Sequence, residues 1–112
     1  MSLALTRSEL IRPLNLIGGQ WIAAASGARF PVTNPATGET IVEVANSSAA
    51  DARAATDAAA RALPAWRDRL PRERAEILRR WHALIVANTD DLAKLMSTEQ
   101  GKPLAESRGE VA

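Results

Sequence analysis

Few residues of this sequence have side chains that could carry catalytic chemistry. The 112 residues include one histidine, His82, and no cysteine. Without a thiol, and without a serine in a nucleophile elbow nearby, neither a Ser-His-Asp triad nor a zinc site can be assembled. We therefore interpret His82 as a helix-surface residue and assign no catalytic residue within these positions.

Two glycine-containing dipeptides are candidates for phosphate-binding loops, and neither fits that motif. Gly18-Gly19 lies between two short apolar runs and predicts a hairpin turn, because neither further glycines nor a helix follows directly. Gly101-Lys102 is similar to the end of a phosphate loop. However, Met96 stands where that loop needs its first glycine, and Pro103 stands where it needs serine or threonine. We assign no cofactor-binding residue.

The charges of the chain also exclude several functions. The formal net charge is +1, which creates no overall field for nucleic acid or an anionic membrane. Six arginines lie within fourteen residues, but acids are interleaved and no aromatic platform accompanies them. We interpret this cluster as a solvated helix face or a subunit contact: Arg67, Arg69, Arg72, Arg74, Arg79 and Arg80. Asp90-Asp91 reads as a pair of helix N-terminal acids rather than metal ligands.

Targeting signals are equally scarce. The longest apolar stretch is far too short to span a membrane. Arg7, Glu9 and Arg12 interrupt the N-terminus where a signal peptide needs an unbroken apolar segment. We expect a cytoplasmic protein with neither a membrane nor a nucleic-acid partner.

The segment from Pro71 to Pro103 organises the chain. Its apolar residues recur at steps of three and four and predict two helices, 72–87 and 89–100. These apolar residues are Ile77, Leu78, Trp81, Leu84, Ile85, Leu92, Leu95 and Met96. Asn88 to Asp91 supplies N-cap chemistry between the helices, Gly101 closes the second in a left-handed cap, and Pro103 opens another. We expect the preceding elements to pack on this apolar stripe.

The earlier part of the chain predicts a short helix or loose arm over 1–13, then two hairpins over 14–22 and 30–44. We expect the four strands to form one small antiparallel layer. Ser48 and Asp51 stand in capping-box register before an alanine-rich helix over 49–62. Pro64 is expected to end this helix, and Trp66 to fill the corner before Pro71.

Four motifs give a specific resemblance: IGGQW (17–21), FPVTNPATGE (30–39), AWRDRLPRERAEILRRW (65–81) and STEQGKPLAESRGEV (97–111). In this order and spacing they resemble the N-terminal part of an NAD(P)-dependent aldehyde dehydrogenase, and they are most similar to succinate-semialdehyde dehydrogenases. The implied fold class is α/β, with 14–112 as an incomplete N-terminal portion of a Rossmann-like cofactor domain. This portion would end within a helix that starts near Pro103.

The resemblance implies oxidation of succinate semialdehyde to succinate with NAD or NADP in the full-length enzyme. Glutarate semialdehyde is an alternative substrate. The family's nucleophilic cysteine and phosphate loop would lie beyond residue 112, so the 112 residues alone should be inactive and bind no cofactor. The sheet that the helices would cover also lies beyond residue 112 in the resembled fold, so we expect a large apolar patch to be exposed. The expected partners are the remainder of the chain and further copies in a dimer or tetramer. A non-catalytic module for self-association or partner binding remains the alternative function.

One site implied by the resemblance falls inside the chain. Many family members hold a structural monovalent cation, which here would be bound by the backbone carbonyls of Val32 and Thr33 and the carboxylate of Glu99. Hard cations favour such oxygen ligands. The alternative is that Glu99 merely faces solvent at a helix end.

Overall fold

The structure is a computed structural model, which describes residues 3–112. Two hairpins come first and four helices follow, with a short 3-10 turn at Ser8–Leu10 in the N-terminal arm. The bounds are β1 Asn15–Ile17, β2 Gln20–Ile22, β3 Arg29–Thr33, β4 Thr40–Ala45, α1 Ala49–Arg67, α2 Pro71–Ala87, α3 Thr89–Gln100 and α4 Leu104–Val111.

The hairpins follow the sequence prediction, but they do not form one layer. Gly18 and Gly19 make the β1–β2 turn with φ of 59° and 79°, as a two-residue hairpin loop requires. β1 pairs only with β2, and β3 only with β4, so the expected four-stranded layer was wrong. Because β1 and β2 have only three residues each, they offer few backbone groups for pairing with a further strand. The amide of Ala45 at the end of β4 donates instead to the carbonyl of Pro13, at 2.9 Å.

Helix α1 begins with the predicted capping box. The Asp51 carboxylate accepts from the Ser48 amide at 2.8 Å, and the Ser48 hydroxyl accepts from the Asp51 amide. The same carboxylate accepts from the Ala25 amide at 3.0 Å. Helix α1 is therefore joined at its first turn to the loop that leaves β2.

The prediction that Pro64 ends α1 was wrong, because the helix continues to Arg67. A proline removes one helical hydrogen bond and crowds the carbonyl four residues earlier. The whole of 59–73 is exposed, so water can satisfy the carbonyl that loses its partner. Trp66 consequently lies in the last helical turn with 36% of its surface exposed. It does not fill the corner before Pro71.

The boundary between α2 and α3 lies where the sequence predicted it, for a different reason. No side chain caps the start of α3. The Asn88 side-chain amide instead donates to the Leu84 carbonyl at 2.7 Å, and the Thr89 hydroxyl donates to the Val86 carbonyl at 2.8 Å. These residues close the end of α2, so the expected N-cap role was wrong.

Helices α3 and α4 pack through small residues. Ala93 and Ser107 are fully buried, and the hydroxyls of Ser97 and Ser107 lie 2.8 Å apart in a hydrogen bond. Arg108 Nε lies 3.0 Å from Asp90 Oδ1, which adds an exposed ion pair between the two helices. The close approach follows from side chains too short to hold the helices apart.

The apolar stripe of α2 is open to solvent, as expected if the sheet that it would cover lies beyond residue 112. The earlier elements do not cover it, contrary to expectation. Trp81 and Leu84 are 63% and 60% exposed. Ala24 and Ala93 are the two apolar residues that are buried within residues 3–112. The molecule measures 47 × 35 × 19 Å, a slab only about two helix diameters thick. In so flat a shape, the described elements leave one side of α2 without a covering partner.

Candidate functional site

The Asn-Pro turn between β3 and β4 is built by one asparagine. The Asn34 carbonyl accepts from the Gly38 amide at 2.7 Å, and its side-chain oxygen accepts from the Ala36 amide at 2.9 Å. Such an Asx turn orders the loop without help from the rest of the chain. Gly38 completes the loop with φ of 75°.

This turn meets the end of α3 at Gly101. Gly101 has φ of 72° and its amide donates to the Ser97 carbonyl at 2.8 Å, which is the predicted left-handed cap. A Cβ on Gly101 would stand 3.0 Å from Cγ of Pro35. Residues 66 positions apart in sequence are therefore in direct contact.

The residues of the expected cation site lie on both sides of this contact. Val32 and Thr33 end β3, where a bulge disturbs the pairing with β4. Glu99 lies in the last turn of α3 and is exposed. It lines a groove with Met96, away from the cavity of about 410 Å³ that Asn34 lines with Lys94 and Ser97 on the other side of α3. Glu99 thus lies on a different side of α3 from the cavity beside the Asn-Pro turn, and joint binding of a cation by the three residues stays a prediction.

Clusters of protein side chains suited to metals are not found in the part of the chain that the structure describes. No three histidine, cysteine, aspartate or glutamate side chains converge there. The cation hypothesis rests on carbonyl oxygens and one carboxylate, so this finding leaves it untested.

The N-terminal arm is held by Asp91, a role that the sequence did not reveal. The two oxygens of this buried carboxylate accept from the Thr6 amide at 3.1 Å and the Arg7 amide at 2.8 Å. The Arg7 guanidinium reaches Asn88 Oδ1 at 3.3 Å. Two consecutive amides thereby fix the arm over the α2–α3 junction.

The contacts at Asp91 also alter its acidity. The hydrogen bond from the Thr6 amide lowers the pKa of the Asp91 carboxyl, and burial opposes this by raising the pKa. The Arg7 amide and the nearby Lys94 charge lower the pKa further. A carboxylate that accepts backbone hydrogen bonds is stabilised in its charged form. The ionised side chain is therefore the form that holds the arm.

An apolar groove opens on the other side of α3. It has a volume of about 570 Å³ and lies between α2, α3 and α4. Its apolar lining comes from Ile85, Leu92, Leu95, Met96 and Val111. Ile85 also belongs to the α2 stripe, so groove and stripe form one continuous surface.

The remaining candidates show structural roles. His82 is exposed on α2, as expected. Arg74 of the arginine cluster donates to the carbonyls of Arg67 and Arg69 at 2.6 and 3.2 Å and so closes the end of α1. Within residues 3–112, no helix is both long and apolar enough to serve as a membrane span.

Comparison with known proteins identifies the family. The aldehyde dehydrogenase family model matches residues 21–112. The chain belongs to this family. Among curated aldehyde dehydrogenases, it is 51% identical to the glutarate-semialdehyde dehydrogenase of Pseudomonas putida over 94% of its length. It is likewise 51% identical to the succinate-semialdehyde dehydrogenase [NADP(+)] of Escherichia coli over 96%. In both cases this aldehyde dehydrogenase chain spans 22% of the relative's length.

The fold agrees with the family assignment. The crystal structure of an NADP-dependent enzyme from E. coli superimposes with a TM-score of 0.93 at 51% identity, over 96% of this chain and 22% of the other. The α/β interpretation is confirmed for this part of an aldehyde dehydrogenase. Two hairpins and four helices recur inside a polypeptide more than four times as long, and nicotinamide cofactors are used by such relatives.

Proposed function

We propose that this chain is the N-terminal portion of the cofactor domain in an NAD(P)⁺-dependent semialdehyde dehydrogenase. The observation that carries the proposal is 51% identity over 96% of the chain to a succinate-semialdehyde dehydrogenase. In the proposed reaction, succinate semialdehyde, NAD(P)⁺ and water give succinate, NAD(P)H and two protons. Glutarate semialdehyde is the second candidate substrate, because the same identity links the chain to a glutarate-semialdehyde dehydrogenase.

The role of these residues in that enzyme is architectural. The cofactor-phosphate loop and the thiolate nucleophile that the family uses are expected outside residues 1–112, which contain no cysteine. Neither the Gly18-Gly19 hairpin turn nor the left-handed Gly101 cap forms a phosphate cradle at the start of a helix. The chain instead supplies two ordered hairpins and an apolar helical surface.

The direct test uses a full-length protein, encoded by the reading frame extended to the length of the relatives. The encoded enzyme should form NAD(P)H from succinate semialdehyde, with glutarate semialdehyde as the comparison substrate. The ratio of the two kcat/KM values decides between the two substrates. Absence of turnover with both semialdehydes in a folded, full-length protein would refute the proposal. Assembly into a dimer or tetramer and a cytoplasmic location stay predictions for the same protein.

The cation site is a further part of the proposal. The carbonyls of Val32 and Thr33 and the Glu99 carboxylate would hold a monovalent cation near the contact of Pro35 with Gly101. In the full-length enzyme, sodium or potassium should raise the unfolding temperature, as any ligand specific for the native state does. Glu99→Gln should remove this rise, whereas Glu106→Gln on α4 should keep it. An equal rise in both variants would reject Glu99 as a ligand.

A further inference from the structure

The exposed area of this chain is much larger than that of a self-contained domain. A folded monomer of 12.0 kDa is expected to expose about 6,000 Å². The chain exposes 7980 Å², an excess of about 2,000 Å² over that expectation. Its radius of gyration is 16.7 Å, compared with about 13 Å for a compact domain of this length.

The excess includes one coherent apolar surface. At 100° per residue, Leu78, Trp81 and Leu84 fall on one face of α2, and all three are exposed. Ile85 on the same face continues into the groove of about 570 Å³ between α2, α3 and α4. We call this joint surface the α2 face. A monomeric protein rarely leaves so continuous an apolar patch in water.

The size of the excess indicates the kind of partner. A standard interface buries about 800 Å² on each side, whereas obligate contacts bury about 2,000–5,000 Å² in total. A partner that brought this chain down to the exposed area of a compact monomer would bury about 2,000 Å² on this side, and with a similar area on the other side the interface falls in the obligate range. A transient ligand or a short peptide would leave most of the surface open.

The comparisons indicate what this obligate partner is. With a TM-score of 0.93, the same fold is found within a crystallised chain of which it makes up 22%. In such a chain, these helices thus adopt this conformation next to the remaining polypeptide, which is roughly four-fifths of the whole.

We infer that the α2 face is a docking surface for roughly the C-terminal four-fifths of a semialdehyde dehydrogenase. The 112-residue chain binds this partner through the α2 face even when the two are separate polypeptides. This inference rests on the proposed function. It adds that apolar burial, rather than the covalent link after Ala112, holds the two parts together. The partner surface must be apolar and complementary to a ridge centred on Trp81.

A cleavable chimera tests the inference. Residues 1–112 replace the matching part of the E. coli succinate-semialdehyde dehydrogenase, with a protease-cleavable linker after Ala112. NADPH formation before cleavage tests the proposed function. Gel filtration and activity after cleavage test the docking surface. We expect the two pieces to co-elute and the activity to persist.

Two neighbouring substitutions provide matched variants. Leu84→Glu places a carboxylate in the α2 face, and Ala83→Glu places the same group on another side of the helix. Both positions are exposed in this chain, so far-UV circular dichroism of the 112-residue chain should be unchanged by either. After cleavage, Leu84→Glu should weaken the binding of the 112-residue piece to the rest of the enzyme at least about a hundredfold, because an unpaired buried charge is strongly unfavourable. Ala83→Glu should change retention less than about threefold.

The outcomes separate the two proposals. An active chimera whose pieces part on cleavage overturns the docking inference and leaves the proposed function standing. A chimera that does not fold or turn over overturns both. Release of the 112-residue chain as a homodimer that Leu84→Glu dissolves would show that a second copy covers the face, and would also overturn the inference. Equal retention of the two variants would place the contact elsewhere.

Discussion

Replacement of Gly101 by alanine should destabilise the chain through two separable effects. The backbone at Gly101 has φ of 72°, and a left-handed conformation costs an L-residue about 1–2 kcal/mol. The new Cβ would also stand 3.0 Å from Cγ of Pro35. Displacement of this ring from its contact should add about 1 kcal/mol, the lower end of overpacking costs. The expected loss is about 2–3 kcal/mol in the free energy of unfolding.

Two other glycines provide controls for the two effects. Gly38 has φ of 75° and nothing within 4 Å of an added Cβ, so Gly38→Ala should cost the backbone share alone, about 1–2 kcal/mol. Gly109 lies within α4 without a positive φ. Gly109→Ala should stabilise by about 0.5–1 kcal/mol, because alanine loses less backbone entropy in a helix.

A double-mutant cycle isolates the ring contact. Pro35→Ala removes Cγ, so the penalty of Gly101→Ala in that background should fall by about 1 kcal/mol. Urea unfolding, followed by far-UV circular dichroism at low protein concentration, measures the unsubstituted 112-residue chain and all five variants. Equal losses for Gly101→Ala and Gly38→Ala would refute the contact between the Asn-Pro turn and α3. A gain like that of Gly109→Ala would refute the left-handed cap.

Four further outcomes are expected. The purified 112-residue chain should form no NADH or NADPH from succinate semialdehyde, and turnover that survives removal of contaminating enzyme would contradict this. Trp81→Ala should lower the free energy of unfolding by about 3–5 kcal/mol in the full-length enzyme. In the 112-residue chain, where the side chain is exposed, the loss should be less than about 1 kcal/mol. A comparable loss for His82→Ala in the full-length enzyme would show that the wrong face was assigned. Hydrogen exchange at the Thr6 and Arg7 amides should be protected above about pH 4. This protection should fall as the pH drops through the lowered pKa of Asp91, and Asp91→Asn should weaken it at neutral pH; protection that is unchanged in Asp91→Asn would refute the clamp. Sedimentation over a concentration series should show that the isolated chain self-associates, and a monodisperse monomer with a sharp thermal transition would show that it closes its own core.

The sign of the pH prediction follows from the direction of the shift. A carboxyl whose pKa is lowered in the folded state contributes stability above its ordinary pKa and loses it as the pH falls through the folded value. Charges that surround the Asp91 carboxylate are Arg7 on the arm and Lys94 on α3, with Asp90 beside it in sequence. The arm should therefore loosen in acid and remain attached at neutral pH.

Local chemistry made much of this fold predictable. The glycine pair at the first hairpin, the Ser48–Asp51 capping box and the left-handed Gly101 each depend on a few adjacent residues. Their stabilising groups are encoded next to the backbone they satisfy, so sequence spacing alone indicates the structure. The bounds of α2 and α3 followed from the same local periodicity, although Asn88 reached backwards to α2 rather than forwards to α3.

The incorrect predictions share a dependence on what surrounds each element. Pro64 was expected to end α1, but its neighbours are exposed and water can satisfy the freed carbonyl. The preceding elements were expected to pack on the Trp81 stripe, but no element within residues 3–112 covers it, and the stripe is exposed as expected where part of its partner lies beyond residue 112. The Asp91 clamp could not be foreseen, because its partners are backbone amides, which carry no sequence signal, 84 and 85 residues away.

The exposure of the α2 face has a consequence for biosynthesis. In a relative of full length, this segment leaves the ribosome first, while roughly 370 residues are still to be made. At about 5–20 residues per second, that takes about 20–70 s. Helix formation takes about a microsecond, so the α2 face is complete long before the surface that covers it exists. A nascent dehydrogenase thus presents a tryptophan-centred ridge to the cell for most of its synthesis, and a chaperone that binds such ridges would meet it there on every ribosome.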